Sequence, residues 1–116
     1  MPRADFEIWI QGYIKAWTSN DPADIAALFT EDAVYYRLAF TEPWIGREAI
    51  LKGWNEHKDQ PGEWEFEYDW LAIEGETGVL RGLSTYGQSV YSNIWLIKLD
   101  EKGRCYEFRE WWVKKG

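Results

Sequence analysis

The apolar residues of this chain change their period once, and that change constrains the fold more than any other feature. Through about residue 58 they recur at helical spacing, and from Glu63 onward they alternate. Phe6, Trp9, Ile10, Tyr13, Ile14 and Trp17 fall at i, i+3, i+4, i+7, i+8 and i+11, one face of an amphipathic helix over residues 5–18. Thr18-Ser19-Asn20 ends it. Asp21 then reads as the N-cap of a short second helix, with Pro22 at its first position and Asp24 in its first turn. Ile25, Leu28 and Phe29 face inward from it. Asp32 to Arg37 reads as a short strand, and Thr41 to Gly46 as a loop. A third helix runs from about Arg47 to Lys58, with Ile50, Trp54 and His57 on one stripe, and frays into Asp59-Gln60-Pro61.

The second half reads as sheet. Trp64, Phe66 and Tyr68 alternate with Glu63, Glu65, Glu67 and Asp69, the pattern of a half-buried strand. At Trp70-Leu71-Ala72-Ile73 both faces turn apolar, which predicts that the strand enters a more enclosed region. Turns at Glu74–Gly78, Gly87-Gln88 and Asp100–Gly103 separate further strands over Val79–Tyr86, Ser89–Leu99 and Arg104–Val113. Helices first and a meander of long strands afterwards indicate α+β, with a mainly antiparallel sheet.

A chain of 116 residues accommodates one domain, spanning 1–116. Its net charge of −7 argues against nucleic acid and against anionic membrane surfaces, since both need a basic footprint. A single cysteine, Cys105, forms no internal disulfide and suits a reduced, cytoplasmic setting. Met1-Pro2-Arg3-Ala4-Asp5 leads into a helix without the look of a secretion leader. Nine tryptophans are a large aromatic allotment for this length. They enlarge a small core, and they can also wall a pocket. One histidine and one cysteine cannot build the usual zinc cluster. No phosphate loop, dinucleotide fingerprint or nucleophile elbow is present.

Several stretches carry a resemblance. They are Tyr13; Asn20-Asp21; Ile25-Ala26-Ala27-Leu28-Phe29-Thr30-Glu31-Asp32-Ala33-Val34; and Glu42-Pro43-Trp44-Ile45-Gly46-Arg47-Glu48-Ala49-Ile50. Together with Tyr91–Trp95 and Gly103–Trp112 they resemble the nuclear transport factor 2-like superfamily, in its SnoaL-like and ketosteroid-isomerase-like branch of small bacterial proteins. The resemblance implies a cone: three N-terminal helices packed on a strongly curved, mainly antiparallel sheet, with a pocket at the open end. It also implies a homodimer through the outer sheet face. The isomerases of that branch use a tyrosine on the first helix and a protonated aspartate as oxyanion donors, and a second aspartate as proton shuttle. The tyrosine falls on Tyr13. The shuttle falls on Arg37, and the other aspartate on about Trp95. Arginine is no base near neutral pH, so steroid isomerisation by that route is not expected.

The resemblance and period-two alternation together give the cavity-facing sets. On the last strand these are Tyr106, Phe108, Glu110 and Trp112; on the strand before, Asn93, Trp95 and Ile97. Ile94, Leu96, Cys105, Trp111 and Val113 then face outward. Glu110 among aromatic neighbours is a candidate acid or base with a raised pKa; as a structural group it pairs with Arg37 or Arg81. Either arginine could hold a substrate carboxylate in its planar fork, or pair with Glu42 or Glu110. Gly82, beside Arg81, lets something approach closely. Tyr13 and Tyr35 are candidate donors or core tyrosines bonded to another side chain. Asn93 orients a ligand carbonyl or satisfies backbone groups, and His57 suits a helix C-terminus. Trp17, Trp44, Trp54, Trp95, Phe108 and Trp112 are the expected wall, with Trp64 and Trp70 as further candidates. Such a wall favours a flat or apolar ligand.

The expected function is binding of a small, partly apolar carbonyl or carboxyl compound. Any reaction would be cofactor-free proton transfer (isomerase, cyclase or hydrolase) with Glu110, Tyr13 and Arg37 as its working groups. The alternative is a non-catalytic dimerisation or assembly module with a vestigial pocket.

Overall fold

The computed structural model describes residues 2–37, 40–60 and 62–116. Met1 and Pro61, read above as part of a leaderless start and of a fraying helix end, lie outside them. Helix α1 (Arg3–Ser19) forms on the predicted periodicity and buries Phe6, Trp9, Ile10, Tyr13 and Trp17. Asn20 closes it in the left-handed region at φ 53°, donating its N–H to the Ala16 carbonyl at 2.7 Å. Asp21 caps α2 (Pro22–Ala26) by accepting the Ala23 N–H at 2.9 Å. That helix is shorter than its apolar spacing suggests. Phe29 already opens β1 (Phe29–Tyr36). There follow β2 (Trp44–Ile45), α3 (Arg47–His57), β3 (Glu65–Glu74), β4 (Thr77–Tyr86), β5 (Ser89–Leu99) and β6 (Cys105–Lys114).

The strands form one six-stranded sheet in the order β2-β1-β6-β5-β4-β3. Every pairing is antiparallel except β1 with β6. The result is an α+β cone, with helices against the inner face of a curved sheet. Register fixes that face: Trp70, Leu80, Trp95 and Glu110 lie in one row across β3 to β6, and Tyr68, Gly82, Asn93 and Trp112 in the next. The alternate rows, Arg81-Ile94-Trp111 and Leu83-Ser92-Val113, point away from the helices. The core between the layers centres on Phe6, Ile10, Phe29, Ile50, Leu80, Ile97 and Phe108, all fully buried. Two glycines make room for rings. A methyl on Gly53 would run into the Trp44 indole, and one on Gly82 into the Phe66 ring.

Two expectations from alternation fail, and both fail at an interruption of the ladder. Leu71 is 57% exposed and Ala72 is also exposed, so the strand does not enter an enclosed region there. β3 is the sheet's edge strand, and its register shifts between Trp70 and Ala72. In β6 the register shifts opposite Lys98 and Leu99, so Leu99 pairs with Cys105 and Ile97 with Phe108. The extra residue reverses the side on which the strand begins. Cys105, expected outside, is fully buried, and burial pushes its thiol pKa well up. Tyr106, expected in the cavity, instead faces outward and bonds Glu76 at 3.3 Å.

Candidate functional site

A cavity of about 600 Å³ opens between the helices and the inner sheet face. Each element delivers its part by periodicity. Tyr13 and Trp17 stand one turn apart on α1, and Trp54 and His57 three residues apart on α3. Tyr35 comes from β1, Arg37 follows it, and Trp44 comes from β2. The sheet supplies Ser84 and Tyr86 from β4, Asn93 and Trp95 from β5, and Glu110 and Trp112 from β6.

The inner wall is a chain of rings. Tyr13 lies 4.9 Å from Trp95 and 5.1 Å from Trp54, ring centre to ring centre. Phe108 stacks behind Tyr13 and packs against Tyr35 at 4.5 Å. It is fully buried and supports the wall rather than lining it. Trp112 is 41% exposed at the rim, edge-on to Tyr91. Trp64 stacks on the outside of Trp17 at 3.7 Å, and Trp70 donates its indole N–H to Glu7. Neither of these two reaches the cavity.

Three polar groups define the chemistry. The hydroxyls of Tyr13 and Tyr35 are 2.7 Å apart. One donates to the other, so the pair keeps one O–H free for a third partner. Burial, then the charge of Glu110, holds both phenols well above the ordinary tyrosine value. Glu110 itself is pushed up to about 8 by burial, with Arg37 pulling partly the other way. Arg37 lays its guanidinium over the Trp44 ring, 4.8 Å from the centroid, and its buried Nε has no hydrogen-bond partner. Among the described residues the ion pairs lie elsewhere, and Arg37 closes none with Glu110 or Glu42.

Arg81 is not part of this constellation. It sits on the outer face, paired with Asp69 at 3.1 Å. Gly82's small size serves Phe66, not a ligand. The Asn93 side-chain amide N–H is spent on Ser84 at 2.7 Å, with longer contacts to the Gly82 and Tyr91 carbonyls. His57 is exposed at the mouth, stacked on Trp44 at 6.0 Å. Among the described residues no three acidic, histidine or cysteine side chains gather as a metal site.

Sequence reasoning missed Asp59. Its carboxylate accepts Trp17 Nε1–H at 2.8 Å and the Tyr86 hydroxyl at 2.9 Å, and its carbonyl accepts the Asn20 amide at 2.7 Å. Asn20 in turn accepts Trp54 Nε1–H at 3.0 Å. The segment after α3 is thereby tied to α1 and to the end of β4 across the cavity mouth.

The SnoaL-like domain profile matches residues 10–113. Among curated proteins, none matches the sequence. Solved structures share the fold. An NTF-2-like protein of unknown function from Burkholderia xenovorans superposes with a TM-score of 0.78 at 13% identity, covering 98% of this chain and 87% of its own. A steroid delta-isomerase from Pseudomonas aeruginosa gives 0.69 at 21%, covering 95% and 80%. An LEH-like epoxide hydrolase from M. tuberculosis gives 0.67 at 14%, covering 97% and 86%. Likeness at these identities carries the fold and not the chemistry.

Proposed function

We propose that this chain, which belongs to the SnoaL-like domain family, binds a small, partly apolar carbonyl or carboxyl compound in its cavity and moves a proton on it, with Glu110 as acid and base. The observation that carries the proposal is a carboxyl group that shares an aromatic cavity with a hydrogen-bonded tyrosine pair, where burial pushes its pKa up to about 8. A pKa near the working pH suits proton transfer in both directions. Mostly protonated at neutrality, Glu110 donates; once ionised, it is a stronger base than an ordinary carboxylate. The free hydroxyl of the Tyr13–Tyr35 pair is the donor for a carbonyl oxygen that gains charge during the reaction. The aromatic wall takes the flat or apolar body, and burying one ring stabilises the complex by about 2–3 kcal/mol. Polar anchors therefore set selectivity.

Steroid delta-isomerases and epoxide hydrolases share this fold, and isomerisation, cyclisation and hydrolysis all need a proton moved in a shielded site. By the family resemblance the isomerases' proton shuttle falls on Arg37, which is no base near neutral pH, so the proposed route differs from theirs.

The test uses 2-tetralone, a flat bicyclic ketone with acidic α-hydrogens, in D₂O. The wild-type protein should accelerate α-deuterium exchange seen by NMR, and Glu110→Gln should lose roughly 10²-fold or more of that acceleration. Equal rates for the two proteins would remove Glu110 from the mechanism.

A second reading rests on a different observation. Leu83, Trp111 and Val113 are exposed on the outer sheet face. An apolar outer face suits a homodimer built by stacking two sheets, whether or not the cavity is catalytic. No helix among the described residues is long and apolar enough to cross a membrane. With its one thiol buried and unpaired, the chain is proposed to work in the cytoplasm.

A further inference from the structure

Arg37 is the feature the proton-transfer reading leaves unused. An arginine whose Nε is buried away from water normally has a carboxylate or carbonyl partner. This one has none among the described residues. Its guanidinium carbon lies over the Trp44 ring, 4.8 Å from the centroid. A ring face holds the cation without using its N–H donors, which stay available to bind a carboxylate with two parallel bonds. The nearby acid that could have satisfied it, Glu110, acts on it through space without closing an ion pair.

We propose that the cavity's ligand is an aromatic or similarly flat carboxylate, held by Arg37 against Trp44, and that it binds only while Glu110 carries its proton. The inference rests on the reading of the cavity as a small-molecule site and narrows the ligand to an anion. A protonated Glu110 offers one O–H donor to a bound carboxylate. An ionised Glu110 repels it, because two carboxylates sharing a site cannot both stay charged without cost. Binding and protonation are therefore linked.

The groups around Glu110 bear on that linkage. Tyr13 from α1, Tyr35 from β1 and Tyr86 from β4 feel its charge, and Arg37 opposes its protonation. Burial holds all three phenols above their ordinary value, so they stay neutral around pH 8. His57, Lys58 and Asp59 line the outer cavity from the α3 side and Tyr91 from β5. The Glu110→Gln variant separates their contribution from that of Glu110.

The probes are 2-naphthoate and its neutral isostere 2-naphthamide, followed by tryptophan fluorescence and calorimetry from pH 7 to pH 9. At pH 7 naphthoate should bind at least tenfold more tightly than naphthamide. Its Kd should weaken about tenfold between pH 7 and pH 9, as Glu110 ionises near 8. Glu110→Gln should bind naphthoate with a flat profile over that range. Arg37→Met should lose the preference for the anion; Arg37→Lys, which keeps the charge, should retain part of it, and thermal melts verify that both are folded. Naphthamide binding as tightly as naphthoate would overturn the carboxylate assignment and leave the cavity a small-molecule site. A preference unchanged at pH 9 would overturn the link to Glu110. If neither probe binds but tetralone exchange depends on Glu110, this inference falls and the proton-transfer reading stands. If both experiments are blank, both fall.

Discussion

A carboxyl group walled in by rings loads the folded state in a pH-dependent way. Glu110 is held at about 8 against an ordinary 4.5. Below the ordinary value it is protonated in both folded and unfolded chains and contributes nothing to the difference. Between the two values the unfolded chain ionises and the folded chain does not, so stability falls; above about 8 the deficit is constant. Glu110→Gln removes it. The variant should be more stable than wild type at pH 9, by on the order of 1–4 kcal/mol, and equal to it near pH 4. A thermal-melt difference that does not change between those pH values would show that the carboxyl is not held up. The tyrosine pair makes a second case. Tyr13→Phe and Tyr35→Phe should each cost about 1 kcal/mol, and the double variant less than the sum, because both remove one hydrogen bond. At this scale the sequence was informative where periodicity governs. Tyr13 sits on a helical stripe, and Glu110 is two residues from Phe108 and from Trp112. Asp59 was illegible, because Lys58-Asp59-Gln60 has the look of a solvated helix end and its partners lie 42 and 27 residues away.

Elements hold the site in shape through close approaches that a pattern of apolar letters does not contain. Trp44 reaches its place between Arg37 and His57 only because α3 carries no side chain at Gly53. Gly53→Ala should therefore cost about 1–3 kcal/mol in spite of alanine's better helix propensity, and should perturb ligand binding by displacing the indole. A variant as stable as wild type, with unchanged cavity binding, would refute this account of the glycine. Asp59→Ala strands the Trp17 N–H and the Tyr86 hydroxyl, a loss of about 1–3 kcal/mol for each donor left buried and unmatched. Amide exchange at residues 58–60 should quicken, while that of β5 and β6 keeps the order seen in wild type. The strands show the limit of alternation most clearly. Together with the family resemblance, which says which face is inner, it assigns Asn93, Trp95, Ile97, Phe108 and Glu110 to the inner face, and they are there. It misassigns Cys105 and Tyr106, because one unpaired residue in the β5–β6 ladder inverts the count and leaves no mark in the letters.

For the whole molecule, the change of period from helical to alternating was enough to give helices on one sheet. The parallel pairing of β1 with β6 was not legible from it, since the two strands are far apart in sequence and nothing local joins them. That pairing closes the layer beside Glu110, setting Tyr35 against Phe108, so the site depends on the least legible contact in the fold. The outer face is the remaining question at this scale. Trp111 is 41% exposed, Val113 71% and Leu83 40%, and register sets Trp111 beside Ile94 in one row and Val113 across from Leu83 in the next. Polar groups enter these rows at Ser92, at Glu67 across from Leu83, and at the Arg81–Asp69 pair. A second sheet laid on those rows would exclude water from the three exposed side chains, and a stable contact needs about 1,200–2,000 Å² of total area. Sedimentation velocity at high micromolar concentration should show a dimer. Trp111→Glu should weaken it by about 30-fold or more, the order expected for an aromatic anchor turned into an unpaired charge at an interface. Because Trp111 and Glu110 point to opposite faces of β6, that variant should bind naphthoate as wild type does. A wild-type monomer at this concentration would count against the interface, and a Trp111→Glu monomer with lost binding would mean that the cavity needs its partner copy to hold its shape.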